Sequence, residues 1–81
     1  MKYLTLFYEG NKIEVHNNIL GKETIFYNDQ MVSKKFSLLG AKHLFEVTED
    51  GQVVNYEVAI KYNEYGLGFC VYRNNQPILL Q

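Results

Sequence analysis

Apolar residues recur along this chain mostly at every second position, the period of a strand with one face against a core and the other in water. Residues 52–61, QVVNYEVAIK, show it most fully: Val54, Tyr56, Val58 and Ile60 fall on one face, Asn55, Glu57 and Lys61 on the other. Residues 12–17, KIEVHN, set Ile13 and Val15 inward against Lys12, Glu14 and His16. Residues 67–73, LGFCVYR, set Leu67, Phe69 and Val71 inward against Cys70 and Tyr72. Further strands are expected over 2–8, 23–28, 31–37, 43–48 and 77–80, where the alternation is less regular.

Between these runs stand Gly10-Asn11, Asn28-Asp29, Glu49-Asp50-Gly51 and Asn74-Asn75, residues that tolerate positive φ or bond their own backbone. Four hairpins are expected from them. Longer breaks at 17–21 (NNILG), 38–42 (LLGAK) and 63–66 (NEYG) are expected to carry the chain between sheets or around a corner. A helix has room only near 37–43, and Gly40 limits it to a single turn. Pro77 cannot donate a ladder bond, which assigns the last strand to an edge or to a start after it. One phrase returns three times, as FYEGNKI (7–13), IFYNDQMV (25–32) and VYRNNQPI (71–78): a tyrosine, a turn, then an apolar residue. Hairpin chemistry explains the pattern without a duplication.

These elements predict a single all-β domain spanning residues 1–81, an antiparallel β-sandwich of about seven or eight strands linked mainly by hairpin turns. Cys70 is the only cysteine, so no intramolecular disulfide forms and packing alone holds the fold. The apolar run after Lys2 stops at Glu9 without a small-residue cleavage site, and reads as a first strand. No apolar stretch approaches the roughly 20 residues that span a bilayer. The expected setting is cytoplasmic, with no membrane partner. Eight basic and nine acidic residues leave a formal charge of -1 spread along the chain. A binder of duplex nucleic acid needs a basic excess for counterion release, so that partner is not expected.

Chemistry is sparse. Glu14 and His16 share a strand face but make only two ligands where a zinc site needs three or four. Cys70 lies between Phe69 and Val71 with no oxyanion feature beside it, and GLG at 66–68 lacks the third glycine and helix of a phosphate loop. No catalytic residue, metal or cofactor is expected. Seven tyrosines and five phenylalanines are the feature in excess. Phe7, Tyr8, Lys34, Lys35, Tyr72 and Arg73 form the candidate interaction surface, for a protein partner or a second copy. The alternative reading is a small ligand- or single-strand-binding β-barrel that stacks on tyrosines among Lys34, Lys35 and Arg73. Pro77 and Lys34-Lys35 block edge pairing of their strands, whereas LTLFY at 4–8 contains no such block and is the expected route to a homodimer.

Residues 12–47 carry Lys12-Ile13-Glu14, a Gly21-Lys22 pair, Tyr27-Asn28-Asp29, the basic Lys34-Lys35 strand and a Gly40-to-Phe45 return. In that order they resemble the corresponding stretch of the Fas apoptotic inhibitory molecule family, though the chain has no tryptophan where the family carries one. The resemblance implies an all-β, sandwich-like domain without catalytic residues that acts through protein contacts. It carries over no functional residue.

Overall fold

Four of the five two-residue turns, all but Glu64-Tyr65, share one geometry. Both central residues hold positive φ in each: Glu9 and Gly10, Asn28 and Asp29, Asp50 and Gly51, Asn74 and Asn75. That is the type I′ geometry, whose twist matches the strands it joins. The first turn sits one residue earlier than Gly10-Asn11, because Glu9 enters the left-handed region and Gly10 follows it. In the computed structural model, which describes all 81 residues apart from the side chain of Asn63, the strands are β1 (Lys2–Tyr8), β2 (Asn11–Asn17), β3 (Lys22–Tyr27), β4 (Gln30–Phe36), β5 (Lys42–Glu49), β6 (Gln52–Asn63), β7 (Gly66–Arg73) and β8 (Gln76–Leu80).

The architecture is all-β, with two four-stranded antiparallel sheets of order β1-β2-β3-β4 and β5-β6-β7-β8. The chain divides into two compact units, Met1–Leu38 and Leu39–Gln81, one sheet in each. Of the three longer breaks, only 38–42 joins the sheets; 17–21 and 63–66 connect neighbouring strands of the same sheet. No helix forms near 37–43. Gly40 there takes φ +104 where a Cβ would overlap the Ile60 carbonyl, and Ile60 and Tyr62 donate amides to the carbonyls of Ala41 and Leu39.

In the first unit Ile13, Val15, Ile25 and Tyr27 are buried on one face of β2 and β3, and Asn17 and Glu23 share that face. In the second, Val54, Tyr56, Val58, Ile60, Phe69 and Val71 are buried as the alternation predicts. Leu67 is only half-buried, since it lies one residue from Gly66 at the end of the β6–β7 hairpin. Asn55 and Lys61 are exposed and Glu57 half-exposed, which fixes the register that the pattern requires. Each fully buried aliphatic side chain, such as Val58, contributes about 1.5–3 kcal/mol.

The repeated phrase has a structural counterpart in two of its three places. Asn28 and Asn74 open the β3–β4 and β7–β8 turns. Each side-chain oxygen accepts a backbone amide from the adjacent strand, Lys12 at 2.8 Å and Asn55 at 2.9 Å. Each backbone amide bonds back to the same residue's carbonyl, at 2.9 and 2.7 Å. In both hairpins the register then slips by one residue, at Val32 in β4 and Ile78 in β8. The β1–β2 hairpin has the turn but not this bulge; its irregularity is at Tyr3, near the start of β1.

Candidate contact surfaces

Strand β1 is an edge of its sheet. Tyr8 and Asn11 flank a two-residue turn and so exchange their hydrogen bonds, and alternation then points the amides and carbonyls of Thr5 and Phe7 away from β2. Phe7 stands 70% exposed on the outer face and Tyr3 is also exposed. Tyr8 turns to the opposite face and is half-buried, so Phe7 and Tyr8 do not share a surface.

Lys34 and Lys35 are exposed on β4, the other edge, opposite Thr24 and Glu23. The outer face between the two edges is built by cross-strand rows. One row runs Lys2, His16, Thr24, Lys34; the next runs Thr5, Glu14, Phe26, Met31. Glu14 sits among cations, 3.3 Å from Lys2 Nζ and 3.7 Å from Lys12 Nζ, with His16 Nε2 at 3.8 Å. Lys12 also donates to Asp29 at 2.7 Å, and that hydrogen bond raises its pKa. The His16 ring meets Phe26 edge-on, with centroids 4.8 Å apart.

Tyr72 and Arg73, adjacent on β7, project from opposite faces. Tyr72 lies on the outer face of the second sheet, beside Leu44, Asn55 and Glu57 in a shallow groove. Arg73 is drawn to the inner face, where Nε and Nη2 donate to Glu49 Oε1 at 3.2 and 2.7 Å. The Tyr56 hydroxyl donates to Oε2 of the same carboxylate at 2.5 Å. Burial and this hydrogen bond push the Tyr56 phenol up to about 12, and Glu49 raises Arg73 above its ordinary value. Phe45 stacks on the Tyr56 ring, with centroids 5.2 Å apart. Period-two reading places Tyr56 and Arg73 on strands and Glu49 in the turn that follows 43–48, without showing that the three meet; β5 in fact runs on through Glu49. A carboxylate and a guanidinium at the turn ends of β5 and β7, the two strands that flank β6, were the available signal.

The six residues singled out from sequence therefore lie apart. Phe7 is on one edge, Lys34 and Lys35 on the opposite edge, and Tyr8 faces inward in the first unit. In the second unit Tyr72 faces outward and Arg73 is held by Glu49. A second feature that sequence patterning passes over is the β2–β3 loop, where Ile19 and Leu20 are exposed. An Ile-Leu pair between turn-forming Asn18 and Gly21 was its signal. Among the described residues, no three His, Cys, Asp or Glu side chains gather at metal-binding distance. No family model, no curated protein and no solved structure matches this chain.

Proposed function

We propose that this chain is a non-enzymatic contact domain that pairs with a second copy of itself, edge to edge, through Leu4–Tyr8. One observation carries the reading. Of the four edge strands, β4 holds Lys34-Lys35 and a bulge, β5 holds Glu46, and β8 holds Pro77 and a bulge. Only β1 runs uncharged and in regular register from Leu4 to Tyr8. Unpaired edge groups of this kind are satisfied by a further strand, and a two-fold axis would add Thr5 and Phe7 of each copy to one eight-stranded sheet. The Fas apoptotic inhibitory molecule resemblance points the same way, toward contact without catalysis. A cytoplasmic setting suits a domain whose one cysteine is unbridged. The single-strand-binding alternative has less support, because Arg73 is committed to Glu49, and Lys2 and Lys12 to acidic neighbours.

Sedimentation velocity over a wide concentration range tests the proposal, with Thr5→Pro and Phe7→Lys as separate variants. The expected result is a dimer that both substitutions dissociate. A strict monomer at high micromolar concentration, or a dimer indifferent to both, overturns it.

A further inference from the structure

The first unit is polarised along its strands. One end carries the type I′ turns with Glu9 and Asp29. At the other end the β2–β3 loop and the segment after β4 meet: Ser37 donates its amide to the Gly21 carbonyl at 2.8 Å. Gly21, at φ +84, has the Ser37 carbonyl and Leu38 Cδ2 so close that a Cβ would lie 2.9 and 3.1 Å from them. The large side chains gathered here stand in solvent, Ile19 99%, Leu20 73%, Phe36 72% and Leu38 81% exposed. An apolar cluster of this kind on a small domain marks a contact site.

The loop is built rather than loose. Asn18 Oδ1 accepts the amides of Leu20 at 2.9 Å and Lys22 at 3.1 Å. Gly21 donates to the Asn18 carbonyl at 3.1 Å, and Asn18 to the Lys22 carbonyl at 3.2 Å. These bonds pin the loop at Asn18, Leu20, Gly21 and Lys22 while the Ile19 and Leu20 side chains project into solvent. Lys22 and Lys34 stand at this end, paired in register with Phe36 and Thr24, while Lys35, on the other face of β4, is paired with Glu23.

We propose that this end of the first unit is a peripheral contact for an anionic lipid surface, with Ile19 and Leu20 entering the headgroup–acyl boundary and Lys22 and Lys34 meeting lipid phosphates and carboxylates. One feature favours lipid over a protein partner: Lys22 and the exposed Lys34 stand beside the exposed Ile19 and Leu20, and cations flanking an apolar tip complement a uniformly negative plane. That no helix is long and apolar enough to cross a membrane does not bear on such a contact, which needs no spanning segment.

Flotation with vesicles tests this, using phosphatidylcholine alone and phosphatidylcholine with one part in four phosphatidylserine. The wild-type chain is expected to float with the serine-containing vesicles and far less with the neutral ones. Ile19→Asp, at a fully exposed position, should cut binding about tenfold or more with an unchanged circular dichroism spectrum. Lys34→Glu should cut it about fivefold or more. A wild-type chain that stays with neither vesicle overturns the proposal, as does an Ile19→Asp variant that binds as well as wild type. A vesicle-free dimer that Ile19→Asp dissolves also overturns it, by showing that a second copy covers this end.

Discussion

The Tyr56 hydroxyl lies 2.5 Å from Glu49 Oε2, on an inner face where Arg73 holds the other oxygen of the same carboxylate. The proton between Tyr56 and Glu49 stays on the phenol because burial and the adjacent negative charge oppose ionisation. Folded Tyr56 therefore titrates near 12, above the ordinary phenol value of 10.0. A pKa raised on folding gives stability that is complete below about pH 10 and lost as pH rises toward 12. Ultraviolet difference titration should show one of the seven tyrosines ionising last, and Tyr56→Phe should remove that late step. An unchanged titration in Tyr56→Phe would contradict the assignment.

The same substitution deletes a donor to a largely buried carboxylate. Tyr56→Phe is expected to lower stability by about 1–2 kcal/mol at neutral pH, read as a shifted urea midpoint with unchanged m-value. A midpoint equal to wild type would mean that Arg73 and solvent satisfy Glu49 alone.

Gly40 and Gly10 both hold positive φ, and only one is enclosed. A Cβ on Gly40 would lie 2.1 Å from the Ile60 carbonyl oxygen, a backbone atom within β6, while one on Gly10 meets nothing within 4 Å. Gly40→Ala should cost about 3 kcal/mol or more, and Gly10→Ala about 1 kcal/mol from backbone strain alone. Chemical denaturation of the two variants side by side checks the ordering, and equal losses would refute it.

The paired turn asparagines make a matched test. Asn28→Ala and Asn74→Ala each lose a side-chain acceptor for a neighbouring strand's amide and place a β-carbon at positive φ, for an expected loss of about 1–2 kcal/mol each. Asn→Gly at either site relieves the backbone part and should cost less than Ala. If Gly proves worse than Ala at both, the left-handed conformation is not what these asparagines supply.

Lys34 blocks an edge that β4 would otherwise offer. Lys34→Val should raise concentration-dependent association without lowering the thermal midpoint, since its side chain is exposed. Light scattering across a dilution series would show it, and a variant that stays as dispersed as wild type would show that the bulge at Val32 suffices.

Period-two alternation made all eight strands and the inward set from Val54 to Val71 legible, because burial on one face leaves a trace at every second residue. It placed the four tight turns to within a residue, because only Gly, Asn, Asp and the tolerated Glu9 fill them. What it could not supply were relations across strands. Nothing local says that Glu49, Tyr56 and Arg73 converge, or that Gly21 and Ser37 close on one another. Adjacent residues such as Tyr72 and Arg73 also read as one patch until the pleat sends them to opposite faces. The Gly40 region read as a possible helical turn because its constraint is the Ile60 carbonyl, twenty residues on.

Every strand in both sheets pairs only with its neighbours in sequence, across connections of two to four residues, and no ladder partners lie farther apart than the seventeen residues separating Lys42 from Ala59. Each ladder can therefore zip outward from its own turn, without waiting for a distant segment to be found, which lowers the entropic barrier that slows most all-β chains. A sheet of this kind can be completed in the order in which its strands leave the ribosome. The first unit would have all four of its strands before β5 is made, with the β1 edge exposed to any other nascent copy from that moment.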